Sequence, residues 1–277
     1  MPEAIPDKDG RMSFRRCELE EFWTRLRTPE HHAGPLAMVL SLGMPTEDAF
    51  PEASLLCPAE TRRHQRMREP TSAWAYLCSH VALRILAGWA LGRSPAALEF
   101  VSPGEPNVPP RLRGEAQSGL QVSLSHSGSS AAIGLRQGGM VGIDVEQTDR
   151  ARDALAVVEN FLTPNEVGEV LALPRHDQGP LALRYWCAKE AVLKAAGTGL
   201  STDPRSVSVQ WSGEIATTML DGVAYELGRI GPHFPERTAG AIACSAPVGE
   251  IMETHSSFNE LLSLFRTSQP WWMPASS

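Results

Sequence analysis

Apolar and polar positions alternate along the first part of the chain in a pattern typical of mixed helices and strands. Residues 71–91 carry Trp74, Leu77 and Val81 at helical spacing, which predicts a long helix with a buried face. Residues 35–42 are mostly apolar and predict a buried strand. The other elements predicted here are a helical run over 18–27, a cationic helix over 59–68 and a short strand over 98–101.

A proline- and glycine-rich segment, residues 102–119, separates this part from a strand-rich block. Strands are predicted over 121–125, 131–135 and 140–146. Thr163, Pro164 and Glu166 together predict a helix start, because they supply a cap, a favoured first residue and the glutamate of a capping box. The later predictions are a helix over 181–196 that ends at Gly197, and strands over 206–211, 225–230 and 239–243.

This order of elements predicts an α/β (α+β) fold of two loosely similar, pseudo-symmetric halves. Residues 1–115 are assigned to the N-terminal half and residues 116–249 to the C-terminal half. Residues 250–277 are expected to form a C-terminal tail that lies outside the fold as an appendage.

Composition narrows the class of protein. Of the 277 residues, 42% are apolar and 21% charged, and the net charge of −7 argues against a broad basic face for nucleic acid. The five cysteines lack C-x-x-C spacing, so neither a disulfide framework nor a zinc site is predicted. No secretory h-region is visible, and Ser79, His80 and Arg84 interrupt the most apolar stretch. We therefore expect a cytoplasmic protein without a membrane span.

Two carboxylates share one predicted strand, Gly142-Ile143-Asp144-Val145-Glu146. Side chains alternate along a strand, so Asp144 and Glu146 point to one side while Ile143 and Val145 point into the core. Like charges this close need a raised pKa, a salt bridge or a metal, and oxygen donors without histidine or cysteine favour Mg²⁺. The alternative is a strand end that runs into solvent.

A second candidate group lies on the helix predicted over 181–196. Trp186, Glu190 and Lys194 follow one another at i, i+4 steps on one face, and Lys189 lies on a neighbouring stripe. The chain has only three lysines, of which two fall in this segment. The alternative is an ordinary surface ion pair, worth about 0.3 kcal/mol.

Ser125 and His126 stand where a buried strand ends in a polar turn. They fit a phosphate or base contact, or a simple strand cap. A Ser–His nucleophile pair is disfavoured, because adjacent strand residues point to opposite faces and no G-x-S-x-G elbow surrounds the serine.

These motifs occur in an order that resembles one family, the surfactin-synthetase-activating type of 4′-phosphopantetheinyl transferase. The residues that carry the resemblance are Ser125-His126-Ser127-Gly128, Gly142-Ile143-Asp144-Val145-Glu146, Phe161, Thr163, Glu166, Trp186-x-x-Lys189-Glu190-Ala191-x-x-Lys194 and Gly197-x-Gly199-Leu200-Ser201. The clear match runs from about residue 104 to 209, and the N-terminal half resembles the family in layout only.

The resemblance implies two similar α/β halves with coenzyme A in the cleft between them. It implies transfer of the 4′-phosphopantetheine arm to a serine of an acyl or peptidyl carrier protein, with release of adenosine 3′,5′-bisphosphate. The N-terminal half would be the carrier and nucleotide side, and the C-terminal half the metal and catalytic side. The protein is expected to act as a monomer.

The same resemblance implies roles for individual residues. Asp144, Glu146 and Glu190 would hold Mg²⁺ on the pyrophosphate, Glu190 would also be the base for the carrier serine, and Lys194 would stabilise phosphate charge. The residues expected to bind coenzyme A are Arg63, Arg66, Ser125, His126, Lys189 and Lys194.

One departure from the family lies at Gly104-Glu105-Pro106, where the family often has Gly-Lys-Pro with a nucleotide-binding lysine. Arg63 and Arg66 are the expected replacements facing the 3′-phosphate; the alternative is a solvated helix face. Glu105 also motivates a second hypothesis, a non-catalytic relative that binds coenzyme A or a carrier protein. A third hypothesis is a Mg²⁺-dependent nucleotide phosphohydrolase.

Overall fold

A computed structural model gives the fold of residues 12–27, 34–43, 52–101, 110–114, 118–230 and 238–268. Gly104-Glu105-Pro106 lies outside these described residues, so the expectation about the replaced lysine stays a prediction. The helices are α1 Leu19–Arg27, α2 Pro58–Arg66, α3 Pro70–Leu91, α4 Ala151–Ala156, α5 Pro164–Leu171, α6 Arg175–Ala196 and α7 Phe258–Thr267. The strands are β1 Ser13–Arg16, β2 Leu36–Ser41, β3 Phe100–Val101, β4 Arg111–Leu112, β5 Leu120–Ser127, β6 Ser130–Gln137, β7 Val141–Gln147, β8 Gln210–Ser212, β9 Ile215–Leu220, β10 Val223–Ile230, β11 Thr238–Ser245 and β12 Glu250–Ser257.

The first five-stranded sheet has the order β1-β12-β2-β6-β5. Strand β12 runs parallel to both β1 and β2, whereas β6 is antiparallel to β2 and to β5. Helix α3 covers one face of this sheet. It starts where the Glu69 side chain accepts hydrogen bonds from the N–H groups of Thr71 and Ser72, and it ends at Gly92 with φ of 61°.

The second five-stranded sheet is antiparallel throughout and has the order β7-β11-β10-β9-β8. Helix α6 covers it as α3 covers the first sheet. Both helices have 22 residues, and α6 also ends at a left-handed glycine, Gly197, with φ of 73°. The fold is therefore α/β with two similar halves, as the sequence predicts.

The two sheets pack against each other through their uncovered faces. Ala37, Val39 and Ile251 from the first sheet meet Ile143 and Ile242 from the second in one buried cluster. The layers thus run helix, sheet, sheet, helix. In the described part of the chain only α3 is long and apolar enough to cross a membrane, and 78% of its most apolar window is buried inside the fold.

Most predicted elements appear, and several boundaries differ. The capping box at Thr163 and Glu166 is present at the start of α5, and α6 begins at Arg175, earlier than predicted. Of the strand predicted over 206–211, only the last two residues are strand, because Ser206 ends a short helical turn and β8 starts at Gln210. The sequence did not predict strands β1, β4, β9 and β12.

The prediction that residues from 250 onward form an appendage is wrong for residues 250–268. Strand β12 lies inside the first sheet, and the buried Phe258, Leu261 and Leu262 of α7 belong to the core between that sheet and α3. The chain also changes sheets between β6 and β7, not at residue 116, because β5 and β6 pair within the first sheet. Trp271 and Trp272 lie outside the described residues.

Candidate active site

Strand β7 presents Asp144 and Glu146 on one side and buries Ile143 and Val145 on the other. Ile143 and Val145 belong to the core between the sheets, with exposures of 0% and 1%. The predicted alternation is confirmed. Asp144 is nevertheless only 5% exposed, so the alternative of a strand end running into solvent is wrong for this residue.

Helix α6 lies directly on β7, and a glycine makes this contact possible. A Cβ atom at Gly142 would overlap the carbonyl oxygen of Ala191 and crowd the amide nitrogen of Ala195. Without that atom, the turn of α6 that carries Glu190 and Lys194 packs against the strand. Lys194 Nζ donates to Asp144 Oδ1 at 2.7 Å and to the carbonyl oxygen of Ile143 at 3.2 Å.

Strand β5 approaches the same two acids from the first sheet. Ser125 Oγ donates to Asp144 Oδ1 at 2.8 Å, and Ser127 Oγ donates to Glu146 Oε2 at 2.6 Å. Arg150 binds both oxygens of Glu146, each at 3.1 Å. Asp144, Glu146 and Glu190, called the acidic site below, thus lie where an edge strand of each sheet and α6 meet.

Electrostatics in the acidic site disfavour the ionised forms of Glu146 and Glu190. Burial and the charge of Asp144 raise the pKa of Glu190 to about 7, although Lys194 opposes the rise. Burial and Asp144 also raise the pKa of Glu146, against the lowering effects of Ser127 and Arg150. Additional positive charge in the site would relieve this repulsion.

Two oxygen atoms of the site have no protein partner. Asp144 Oδ2 and Glu190 Oε1 are buried and accept no hydrogen bond from an N–H or O–H group of the described residues. Unpaired buried carboxylate oxygens are costly and suit a hard divalent cation. Within the described residues, no three Asp, Glu, His or Cys side chains lie close enough to complete a metal centre alone. The donor set therefore fits an ion that takes its other ligands from water and phosphates, as Mg²⁺ usually does.

A cleft of about 230 Å³ opens beside Glu146. Its lining residues are Thr71, Ser72, Ala75, His126, Ser127, Gly128, Glu146 and Arg150. Burial lowers the pKa of His126 to about 4, and His80, Lys194 and Arg63 act in the same direction. His126 is therefore neutral at neutral pH and lies in a positive environment that favours an anion.

Arg63 and Arg66, both on α2, differ in their surroundings. The carboxylate of Glu60 holds α2 to α3: its Oε2 lies 2.7 Å from Nη2 of Arg84, and its Oε1 lies 3.1 Å from Nδ1 of His80. Arg63 lies over the ring of Tyr76, 5.3 Å from its centre, and its charge acts on His126. Arg66 is exposed, and no hydrogen bond or ion pair joins it to another described residue. The charge of Arg63 thus acts on His126 beside the cleft, and the expected role of Arg66 stays a prediction.

The position of Lys189 contradicts the role predicted for it. Its side chain is fully buried, and Nζ lies 2.7 Å from Glu166 Oε2 and donates to the carbonyl oxygens of Val207 at 2.6 Å and Pro204 at 3.2 Å. The prediction that Lys189 binds coenzyme A is wrong for this structure, since every contact of its ammonium group is internal. Lys189 instead fixes α6 to α5 and to the segment before β8.

Sequence reasoning also missed three residues that shape the site. Ser127 was quoted in a motif without a role, and its i+2 spacing from Ser125 on a strand was the available signal. Arg150 follows Glu146 by four residues, although the intervening backbone is not one continuous helix. Nothing in the sequence marked Glu166 as the partner of Lys189.

Comparisons with known proteins agree with this geometry. Residues 140–233 match the model of the 4′-phosphopantetheinyl transferase superfamily. The 4′-phosphopantetheinyl transferase HetI of Nostoc is 30% identical over 164 residues, which cover 58% of this chain and 68% of that protein. A 4′-phosphopantetheinyl transferase of Bacillus subtilis is 26% identical over 162 residues, covering 57% and 68%. With a Synechocystis relative, 31% identical, the alignment spans 59% of that protein, less than two thirds of its length.

A solved structure overlaps a smaller part of the chain. It is a holo-(acyl-carrier-protein) synthase of Bacillus anthracis in complex with CoA (3′,5′-ADP), with 23% identity and a TM-score of 0.33. The overlap covers 38% of this chain and 94% of that one.

Proposed function

Because the chain belongs to the 4′-phosphopantetheinyl transferase superfamily, we propose that it transfers the 4′-phosphopantetheine arm of coenzyme A to a serine hydroxyl of an acyl or peptidyl carrier protein. Adenosine 3′,5′-bisphosphate is the other product. The observation that carries the proposal is the meeting of Asp144, Glu146, Glu190 and Lys194 at one site, with two buried carboxylate oxygens left unpaired. We further propose the surfactin-synthetase-activating type, a monomer, and a cytoplasmic location.

Asp144 and Glu190, with Glu146, would hold Mg²⁺, which supplies charge neutralisation on the pyrophosphate when it is bound. Lys194 supports the same function from the protein side. Its ammonium group pairs with Asp144 in this structure, and it lies one helical turn from Glu190, where it can pair with a substrate phosphate. Transfer of this kind needs positioning and charge stabilisation more than covalent help.

Glu190 is the proposed base. The serine oxygen of the carrier forms a bond to the β-phosphorus, and the bond from that phosphorus to the bridging oxygen of the leaving bisphosphate breaks. The serine proton passes to Glu190, directly or through a water. Without a metal, burial raises the pKa of Glu190 to about 7, and the positive charge of a bound cation would lower it and keep the carboxylate able to accept a proton.

His126 and Arg63 are proposed to receive the nucleotide end of coenzyme A. Both lie beside the cleft next to Glu146, where a phosphate would find positive charge close to the acidic site. An anion there would raise the pKa of His126 and favour its charged form.

The test is modification of an apo carrier protein by this protein in the presence of coenzyme A and Mg²⁺. The expected result is a mass gain equal to one phosphopantetheine group, and none when EDTA replaces the metal. Failure with acyl and peptidyl carriers alike would overturn the proposal. Coenzyme A binding without modification would then favour the non-catalytic relative, and phosphate release without a carrier would favour the phosphohydrolase.

A further inference from the structure

Three serines at alternate positions of β5 face β7, and together they are called the serine ladder: Ser123, Ser125 and Ser127. Ser123 Oγ accepts a hydrogen bond from the N–H of Ile143 at 3.0 Å, and Ser127 Oγ accepts one from the N–H of Gln147 at 3.3 Å. Strands β5 and β7 are edge strands of different sheets. The hydroxyl groups therefore join the two halves of the protein at the acidic site.

Two serines of the ladder do more than join strands. Ser125 Oγ donates to Asp144 and Ser127 Oγ donates to Glu146, as described above. Because the hydroxyl of Ser127 already accepts from the N–H of Gln147, its own proton is free to point toward the carboxylate. Ser123 differs, since among the described residues its hydroxyl bonds only the backbone of β7.

The hydrogen bond from Ser125 fixes the orientation of the Asp144 carboxylate. Oδ1 accepts hydrogen bonds from both Ser125 and Lys194, whereas Oδ2 is buried and accepts none from an N–H or O–H group in the described part of the chain. With one oxygen fixed from two sides, the carboxylate cannot rotate without losing both bonds. The hydrogen bond therefore selects which oxygen is presented to an incoming ligand.

We propose that Ser125 and Ser127 are positioning residues that hold Asp144 and Glu146 for a divalent cation. It gives Ser125 a role besides its expected contact with the nucleotide, which stays a prediction. The inference rests on the proposed function, since it concerns the metal of that same reaction. It adds a specific claim: loss of either hydroxyl group weakens metal binding more than it weakens the binding of coenzyme A.

The experiment measures Mn²⁺ binding by EPR at saturating coenzyme A, without a carrier protein so that no turnover occurs. Ser125→Ala and Ser127→Ala are expected to raise the Kd for Mn²⁺ by roughly tenfold or more, as is usual for outer-shell partners of metal ligands. Ser123→Ala, which removes a ladder hydroxyl that touches no carboxylate, is the matched control and should stay near wild type. Ser125→Thr restores the hydroxyl and should recover most of the affinity.

A second measurement separates positioning from nucleotide contact. In EDTA, the affinity for coenzyme A should fall much less in Ser125→Ala and Ser127→Ala than the affinity for Mn²⁺ falls in the first experiment. A loss of coenzyme A affinity in EDTA as large as the loss of Mn²⁺ affinity would overturn the inference, as would unchanged Mn²⁺ affinity in both variants. If Ser125→Ala does not fold, Ser127→Ala at its half-buried position decides alone.

Failure of the proposed function gives a different result. A wild-type protein that binds Mn²⁺ but modifies no carrier would overturn the transferase and leave the serine comparison intact. A wild-type protein that modifies carriers, with variants indistinguishable in Mn²⁺ affinity, would overturn only the positioning role.

Discussion

The Nζ atom of Lys194 lies 2.7 Å from Oδ1 of Asp144, so a side-chain cation sits beside the carboxylate proposed to hold Mg²⁺. The pair links α6 to β7 and partly neutralises a buried acid. It also places the lysine in competition with any metal for the charge of Asp144. The same side chain is proposed to stabilise substrate phosphate, so arrival of the substrate would reduce that competition.

Lys194→Met is therefore expected to raise the affinity for Mn²⁺ in the absence of coenzyme A by roughly tenfold, equivalent to about 1.4 kcal/mol. Carrier modification should fall, because the variant no longer neutralises phosphate charge. EPR titration and mass spectrometry measure the two effects. Lys194→Arg keeps the charge and serves as the control. Weaker Mn²⁺ binding in Lys194→Met would contradict the competition.

Glu190→Gln is expected to reduce the rate of carrier modification by roughly 10²–10⁴-fold while the fold persists. The amide removes both a metal ligand and the proposed base. The rate is measured by mass spectrometry under single-turnover conditions, and circular dichroism checks the fold. Glu159→Gln, at an exposed position outside the site, is the matched control. Near-normal transfer by Glu190→Gln would exclude Glu190 as base.

The raised pKa of Glu190 predicts a pH dependence of stability in EDTA. Burial first, and then Asp144, raise the pKa from 4.5 to about 7, so the charged form destabilises the folded state. The contribution of protonated Glu190 to the free energy of unfolding is fully present below pH 4.5 and is lost as the pH rises through about 7. The melting temperatures of wild type and Glu190→Gln should coincide at pH 4.5. At pH 8 the variant should melt higher, by roughly 2–4 °C. A constant difference across this range would refute the assignment.

Lys189→Met should reduce the free energy of unfolding by roughly 3–5 kcal/mol, because it leaves Glu166 buried without its partner. The double variant Lys189→Met/Glu166→Leu, which buries no unpaired charge there, should recover part of the loss. Urea unfolding measures both. If Lys189→Met instead kept its stability and lost coenzyme A affinity, the expectation from the family would be right and the internal ion pair unimportant.

Gly142→Ala should push α6 away from β7, since the added methyl group overlaps the carbonyl oxygen of Ala191. Carrier modification should fall at least tenfold, together with a loss of stability of roughly 1–3 kcal/mol. Gly168→Ala is the control, because a Cβ atom at that position meets nothing within 4 Å. The substitution also replaces a glycine inside α5 with a better helix former. That variant should be neutral or more stable by up to about 1 kcal/mol. Both are compared by urea unfolding and by the modification assay.

The sequence was informative where local periodicity determines the outcome. The face shared by Asp144 and Glu146 follows from strand alternation, and the start of α5 follows from its capping box. The approach of Glu190 and Lys194 to β7 was predicted from the resemblance to a family. Residue spacing alone could not predict it, because no local pattern indicates which helix covers which strand.

Other features depended on distant partners and could not be predicted. Strand β12 buries Glu253, Thr254 and Ser256, so it lacks the apolar pattern expected of a strand inside a sheet. Lys189 and Lys194 are both lysines on α6, yet one is paired inside the fold and the other faces the acidic site. Only the positions of Glu166 and Asp144 distinguish them.

The position of β12 has a consequence for synthesis of the protein. Within the described strands, β1 pairs only with β12, and β2 has β12 on one side, so the first sheet lacks the strand that joins β1 to β2 until β12 emerges from the ribosome. By then every strand of the second sheet has been translated. Folding is therefore expected to proceed against the direction of the chain, with the half that carries the acids maturing before the half that begins it.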